Sequence, residues 1–120
     1  MKPTIIIAEA GVNHNGNLQM ALQLVDAAAQ AGVDYVKFQT FKAEKLVTKT
    51  AQQADYQKKN IGDAQSENSQ FAMLKRLELS ESDHAAIIEH CRLRGVKFLS
   101  TAFDLDSMDF LASLQHELWK

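Results

Sequence analysis

Glu9 and Lys37 are the two residues of this 120-residue chain that most invite a chemical reading. Each stands inside an otherwise apolar run, Glu9 in residues 4–10 (TIIIAEA) and Lys37 in residues 34–39 (DYVKFQ). A charge in such a place has to be paired or used, because burying it alone is costly. Other polar residues gather where apolar runs end. Asn13, His14 and Asn15 follow the first run, and Gln39 and Thr40 close the second. Ser100, Thr101 and Asp104 stand at the end of a third, residues 96–101 (VKFLST), and Lys120 ends the segment Leu118-Trp119-Lys120. Lysines and hydroxyls on neighbouring strand ends hold a phosphate or a carboxylate. A carboxylate beside them acts as an acid or base, or grips sugar hydroxyls. The competing reading of Glu9 and Lys37 is a structural ion pair inside a barrel.

The remaining chemistry-bearing residues read more plainly. His14, in an Asn-rich loop, suits a turn-stabilising role as well as a catalytic one. His84, His90 and His116 fall in helical patterns, where surface or packing roles outweigh ligation. His84 and His90 are six residues apart, so they do not share a helix face at i,i+4. Cys91 reads as a small buried residue. The charges between Lys42 and Lys59 read as a solvated face. The chain has no GxGxxG, no phosphate-binding P-loop and no GxSxG.

The elements that must position these residues follow from periodicity. Residues 4–10 are a β-branched apolar run, which predicts a strand buried on both faces. The Gly- and Asn-rich stretch GVNHNGN at 11–17 predicts a loop. Asn17 suits a helix N-cap, and Leu18, Ala21, Leu22, Val25, Ala28 and Ala29 recur at helical spacing up to Gly32, a C-cap glycine. Residues 34–39 predict the second strand, completing a βαβ unit that implies a parallel sheet. Residues 40–69 are polar and read as a long excursion with short helices near 50–58, of the kind that forms lids and binding loops. Residues 71–77 predict a short helix. Ser80 to Asp83 resembles a capping box, with a helix running to Gly95. Strand three at 96–101 and a helix at 104–115 follow, and Leu118 to Lys120 is expected to open a fourth strand.

Composition narrows the function classes. Lys plus Arg number 13 and Asp plus Glu 15, a net charge of −2 that offers no electrostatic footprint for nucleic acid or an anionic membrane. Hydrophobic residues at 46% and charged residues at 23% argue against disorder. One cysteine excludes an intramolecular disulfide and a Cys-based zinc site, and it fits a reducing compartment. The opening apolar run is too short to span a bilayer or to serve as a secretory signal. A cytoplasmic location is expected, with neither nucleic acid nor membrane as a partner. Three parallel strands also leave open sheet edges, which favours a homo-oligomer.

Four ordered stretches resemble the sialic acid synthase family, which includes N-acetylneuraminate, legionaminate and pseudaminate synthases and spore-coat polysaccharide synthases. They are AEAGVNHNG at 8–16, VKFQT at 36–40, residues 71–79, and FLSTAFD at 98–104. The resemblance covers nearly the whole chain in order and spacing. It implies an α/β fold of the (β/α)8 TIM-barrel type, usually followed by a small antifreeze-like domain. Residues 1–120 would be the N-terminal part of the barrel domain, with the first three βα units and the start of strand four. The C-terminal half and the antifreeze-like domain would be absent.

The implied reaction is that of a transferase in carbohydrate biosynthesis. It joins phosphoenolpyruvate to an N-acetylated aminosugar, N-acetylmannosamine or a relative, giving a nonulosonic acid and releasing phosphate. It requires a divalent metal, manganese or magnesium, whose histidine ligands come from later strands, as does a second catalytic glutamate. By motif, Glu9 would contact the sugar near the reacting centre. Lys37, Thr101 and Lys120 would bind phosphoenolpyruvate, Gln39 would line the same pocket, and Phe103 would pack beside the substrates. No metal ligand is expected within these residues, so the isolated chain is expected to be inactive.

Two departures stand out. Ala102 replaces the family's usual proline, and Gln115-His116-Glu117 replaces a Gly-Val-Pro-like turn. The alternative function is a non-catalytic truncated or split piece that needs a partner chain to complete the barrel. A different phosphate-binding barrel, of the isomerase or aldolase type, is disfavoured by the Asn13-His14-Asn15-Gly16 loop together with Ser100-Thr101.

Overall fold

Three strands alternate with helices: β1 (Ile7–Gly11), α1 (Leu18–Ala31), β2 (Tyr35–Thr40), α2 (Asp63–Leu77), α3 (Glu81–Arg94), β3 (Lys97–Ala102) and α4 (Leu105–Ser113). The computed structural model describes residues 2–46, 63–114 and 117–120, with 63–69 described by backbone alone. The short helices expected near 50–58 lie outside the described residues. The strands form one parallel sheet in the order β1-β2-β3. This is the arrangement that successive right-handed βαβ crossovers produce. None of the described helices is long and apolar enough to cross a membrane.

Local chemistry sets the helix boundaries. The Asn17 side chain accepts the Met20 N–H at 3.0 Å and starts α1. Ser80 and Asp83 form a reciprocal capping box at the start of α3. Gly32 and Gly95 end α1 and α3 in the left-handed conformation. The helix expected at 71–77 begins earlier, at Asp63.

The sheet has two distinct faces because side chains alternate along each strand. Val36, Phe38 and Phe98 point toward the helices and join Val25, Ala28, Ile87, Cys91 and Leu111 in the core. α1 and α3 pack on each other, and Asp26 of α1 meets His90 at 2.7 Å and Arg94 at 3.1 Å on α3. Asp34 aligns the starts of the strands. Its carboxylate accepts the Ile6 N–H at 2.8 Å, and its carbonyl accepts the Lys97 N–H at 3.0 Å.

Two expectations are corrected. Strand one was expected over 4–10 with both faces buried, yet β1 starts at Ile7, and Ile5, Ile6 and Ile7 are exposed at 58%, 50% and 43%. Among the described residues β1 is an outer strand with β2 on one side, so its other edge is open. No fourth strand forms at 117–120. A strand exists through its ladder, and Glu117 is held instead by its side chain, 3.1 Å from Lys97 Nζ.

Candidate active site

The face turned away from the helices carries the chemistry. In register, Glu9 lies beside Lys37 and Lys37 beside Leu99, while Gln39 lies beside Thr101. Alternation puts Glu9, Lys37, Gln39 and Thr101 on one side. Lys37 Nζ meets Glu9 Oε2 at 2.7 Å. The pair is asymmetric: the Lys37 side chain is 10% exposed and that of Glu9 56%. A nearly buried ammonium is thus neutralised by a carboxylate that solvent reaches. An incoming anion can take over that role without leaving the lysine unpaired.

The β1 backbone is shaped for this approach. Its register slips between Glu9 and Gly11, which makes a bulge at Ala10. Gly11 sits at φ +56°, and a Cβ there would stand 3.3 Å from Glu9 Oε1 and 3.7 Å from Gln39 Nε2. A bulge of this kind re-aims side chains and is common beside active sites. The sequence reading placed Gly11 in a loop and gave it no part in the site, yet it is the position whose missing side chain leaves room beside Glu9 and Gln39. A glycine directly after the Glu9 strand was the available signal. One row further, Thr101 Oγ1 is buried and has no hydrogen-bond partner among the described residues. Buried hydroxyls are ordinarily satisfied, so this one stands out on the face that carries Lys37 and Gln39.

The other residues named from sequence divide. Phe103 is half exposed, one position past the end of β3, and its N–H donates to the Thr40 carbonyl at 3.1 Å. Thr40 and Ser100 do not reach this face. They point to the helix side, where Thr40 Oγ1 meets Ser100 Oγ at 2.6 Å and His84 Nε2 at 2.8 Å. Strand ends alternate like strand interiors, so neighbours of Gln39 and Thr101 must face the opposite way. Asp104 is structural as well. It caps α4 through Ser107 and accepts the Lys42 N–H at 2.8 Å. Burial alone would raise its pKa, but these hydrogen bonds hold its carboxyl below the ordinary carboxylate range.

His14 stabilises its turn: Nδ1 accepts the Gly16 N–H at 2.8 Å. It is fully buried, and that burial lowers its pKa. Its Nε2 has no partner among the described residues. Asn15 is the non-glycine residue at positive φ among the described residues, 54°, as its loop position allows. Lys120 is exposed and lies in no strand. The chain before it is tied through Glu117 to Lys97, at the amino end of β3. Cys91 is buried, and burial pushes its thiol up to about 12, an inert side chain.

No group of three or more His, Cys, Asp or Glu that could hold a metal gathers among the described residues. Glu9 alone, already paired with an ammonium, does not fit a divalent cation. No chemical step is assigned to a metal on these residues.

Residues 24–120 match the NeuB family. Over 109 residues the chain is 57% identical to the N,N'-diacetyllegionaminic acid synthase of Legionella pneumophila, covering 91% of this chain and 30% of that protein. It is 45% identical to the protein of that name from Campylobacter jejuni, covering 100% of this chain and 35% of the relative. The chain thus spans about a third of the length of these relatives. Among solved structures, the N-acetylneuraminic acid synthetase of Leptospira borgpetersenii superimposes with a TM-score of 0.77 at 26% identity, covering 98% of this chain and 35% of that one. The spore coat polysaccharide biosynthesis protein spsE of Bacillus subtilis gives 0.65 at 37%, covering 98% and 28%. The three βα units are an arc of the barrel found in those proteins, and the chain belongs to the NeuB family, the family of the sialic acid synthases.

Proposed function

We propose that this chain supplies the phosphoenolpyruvate-facing part of a synthase that joins phosphoenolpyruvate to an N-acetylated aminosugar and releases phosphate. The observation that carries the reading is the Lys37–Glu9 pair at 2.7 Å, on the same face as Gln39 and the unpartnered Thr101 hydroxyl. In this reading Lys37 and Thr101 bind the phosphate or carboxylate of phosphoenolpyruvate. Gln39 lines the pocket and Phe103 closes it from the rim. Binding draws Lys37 away from Glu9, and the freed carboxylate turns to the sugar near its reacting carbon.

C3 of phosphoenolpyruvate then attacks the open-chain aldehyde, water adds at C2, and phosphate leaves with C–O cleavage. A divalent metal in a complete enzyme of this kind would polarise the aldehyde, and the described residues offer no set of ligands to hold it. Residues 1–120 form one portion of a barrel domain whose other strands complete the site, so the isolated chain does not turn over. The reaction runs in the cytoplasm, where phosphoenolpyruvate is made. The product is a nonulosonic acid. An N,N'-diacetylated aminosugar is favoured as substrate over N-acetylmannosamine. The support is 57% and 45% identity to two N,N'-diacetyllegionaminic acid synthases, against 30% to a pseudaminic acid synthase and 31% to an N-acetylneuraminate-9-phosphate synthase.

The test is a chimera in which these 120 residues replace the matching segment of the Campylobacter jejuni relative. With phosphoenolpyruvate, that relative's own aminosugar and manganese, the chimera should release phosphate. Lys37→Met should abolish release. A folded chimera that turns over equally well with and without Lys37 would refute the assignment.

A further inference from the structure

Behind the candidate site, on the helix side of the sheet, lies a buried chain of hydrogen bonds joining β3, β2 and α3. His84 Nδ1 lies 2.7 Å from the Ser80 carbonyl oxygen. A carbonyl only accepts, so Nδ1 carries the proton and Nε2 presents a lone pair. The Thr40 hydroxyl, 2.8 Å from Nε2, must then donate to it. Having spent its one proton there, Thr40 can only accept from Ser100, 2.6 Å away. Every proton is thereby assigned: Ser100 donates to Thr40, Thr40 to His84, and His84 to Ser80. Ser80 itself is fixed as the N-cap of α3. Thr40, His84 and Ser100 are each at least nine-tenths buried. Phe98 and Phe110 pack against the imidazole at 6.2 and 5.0 Å. Burial pulls His84 below the ordinary histidine range and keeps it neutral.

Thr40 follows Gln39 and Ser100 precedes Thr101, and Gln39 and Thr101 are partners across the two strands. We infer that His84 is a positioning residue for the site: through Thr40 and Ser100 it fixes the ends of β2 and β3, and so sets where Gln39 and the Thr101 hydroxyl meet an anionic ligand. This deepens the proposed function and rests on it for the identity of the ligand. The placement itself can be tested without any ligand.

The experiment compares Thr40→Val, which keeps the shape and removes the hydroxyl, with Thr40→Ser, which keeps the hydroxyl. NMR of the 120-residue chain reads three things. The imidazole nitrogens of the unmodified chain should show His84 as the Nδ1–H tautomer; the Nε2–H tautomer would overturn the proton order. Without ligand, Thr40→Val should shift the Gln39 side-chain amide and the Thr101 methyl, and Thr40→Ser should leave both near their original positions. Unmoved resonances in a folded Thr40→Val chain would overturn the positioning role. With phosphoenolpyruvate added, Thr40→Val should weaken binding by about three- to tenfold, the usual effect of one net hydrogen bond, while Thr40→Ser stays close to the unmodified chain. Equal affinity in all three folded chains would reduce the network to a stability device. Absence of binding to the unmodified chain would refute the proposed ligand, and the tautomer and ligand-free shifts would still decide the inference. If Thr40→Val does not fold, Ser100→Ala removes only the first donor and is held to the same readouts.

Discussion

Lys37 and Glu9 show why a charge inside an apolar run is informative. The nearly buried ammonium needs a counter-ion, and the structure provides one that is itself half exposed and free to be exchanged. His14 and His84 obey the same solvation rule with the opposite outcome. Burial is the largest influence on each and lowers both below 6.5. For His84 the Ser80 carbonyl, Asp83 and Glu81 oppose the shift and Lys42 assists it. For His14, Asp83 opposes the shift and His84 assists it. Both rings therefore hold a proton less readily in the folded chain than in the unfolded chain, where they take up protons around and below 6.5. The unfolded state then binds more protons, so stability rises with pH through this window and levels off above 6.5. The urea midpoint should fall on going from about pH 7 to about pH 5.5, and His84→Gln should flatten the slope. Asp104 titrates below its ordinary 3.8 and does not contribute in that range. A midpoint that holds steady or rises on acidification would contradict this picture.

The elements are joined by contacts that glycine makes possible. At Gly16, φ is +76° and a Cβ would lie 1.5 Å from the carbonyl oxygen of Arg76, near the end of α2. The loop that leaves β1 therefore rests on the carboxyl end of α2. Gly32 has nearly the same φ, +78°, but a Cβ there meets nothing within 4 Å. Gly32→Ala should cost about 1–2 kcal/mol, the conformational penalty alone. Gly16→Ala should cost clearly more and should also remove hydrogen-exchange protection from the last turn of α2. Equal costs at the two positions would show that the docking contributes nothing.

The caps at Asn17, Ser80–Asp83, Gly32 and Gly95 were legible in the sequence because each depends on residues within one turn. The order and direction of the strands were legible because βαβ connections have one favoured hand. The bulge at Ala10 was not, since a register slip is defined only against the neighbouring strand. Thr40 and Ser100 were grouped with Gln39 and Thr101 as strand-end residues, and alternation turns them to the helix side. The partnership of Thr40 with His84 spans 44 residues and leaves no local signal.

At the scale of the molecule, one sheet separates two kinds of environment. Its helix side is an apolar core crossed by one directed hydrogen-bond chain. Its other side holds an ion pair and a hydroxyl that has no partner among the described residues. The exposed Ile5, Ile6 and Ile7 lie at the free edge of β1, where further barrel strands or a second chain would be accommodated. The most direct test of the candidate site is a phosphoenolpyruvate titration of the isotope-labelled 120-residue chain, followed by NMR. Saturable shifts should appear at Lys37, Gln39 and Thr101, accompanied by movement of the Glu9 carboxylate resonance as its ion pair opens, and all of them should vanish in Lys37→Met. Shifts confined to the helix side of the sheet, or shifts that persist without the Lys37 ammonium, would contradict the assignment.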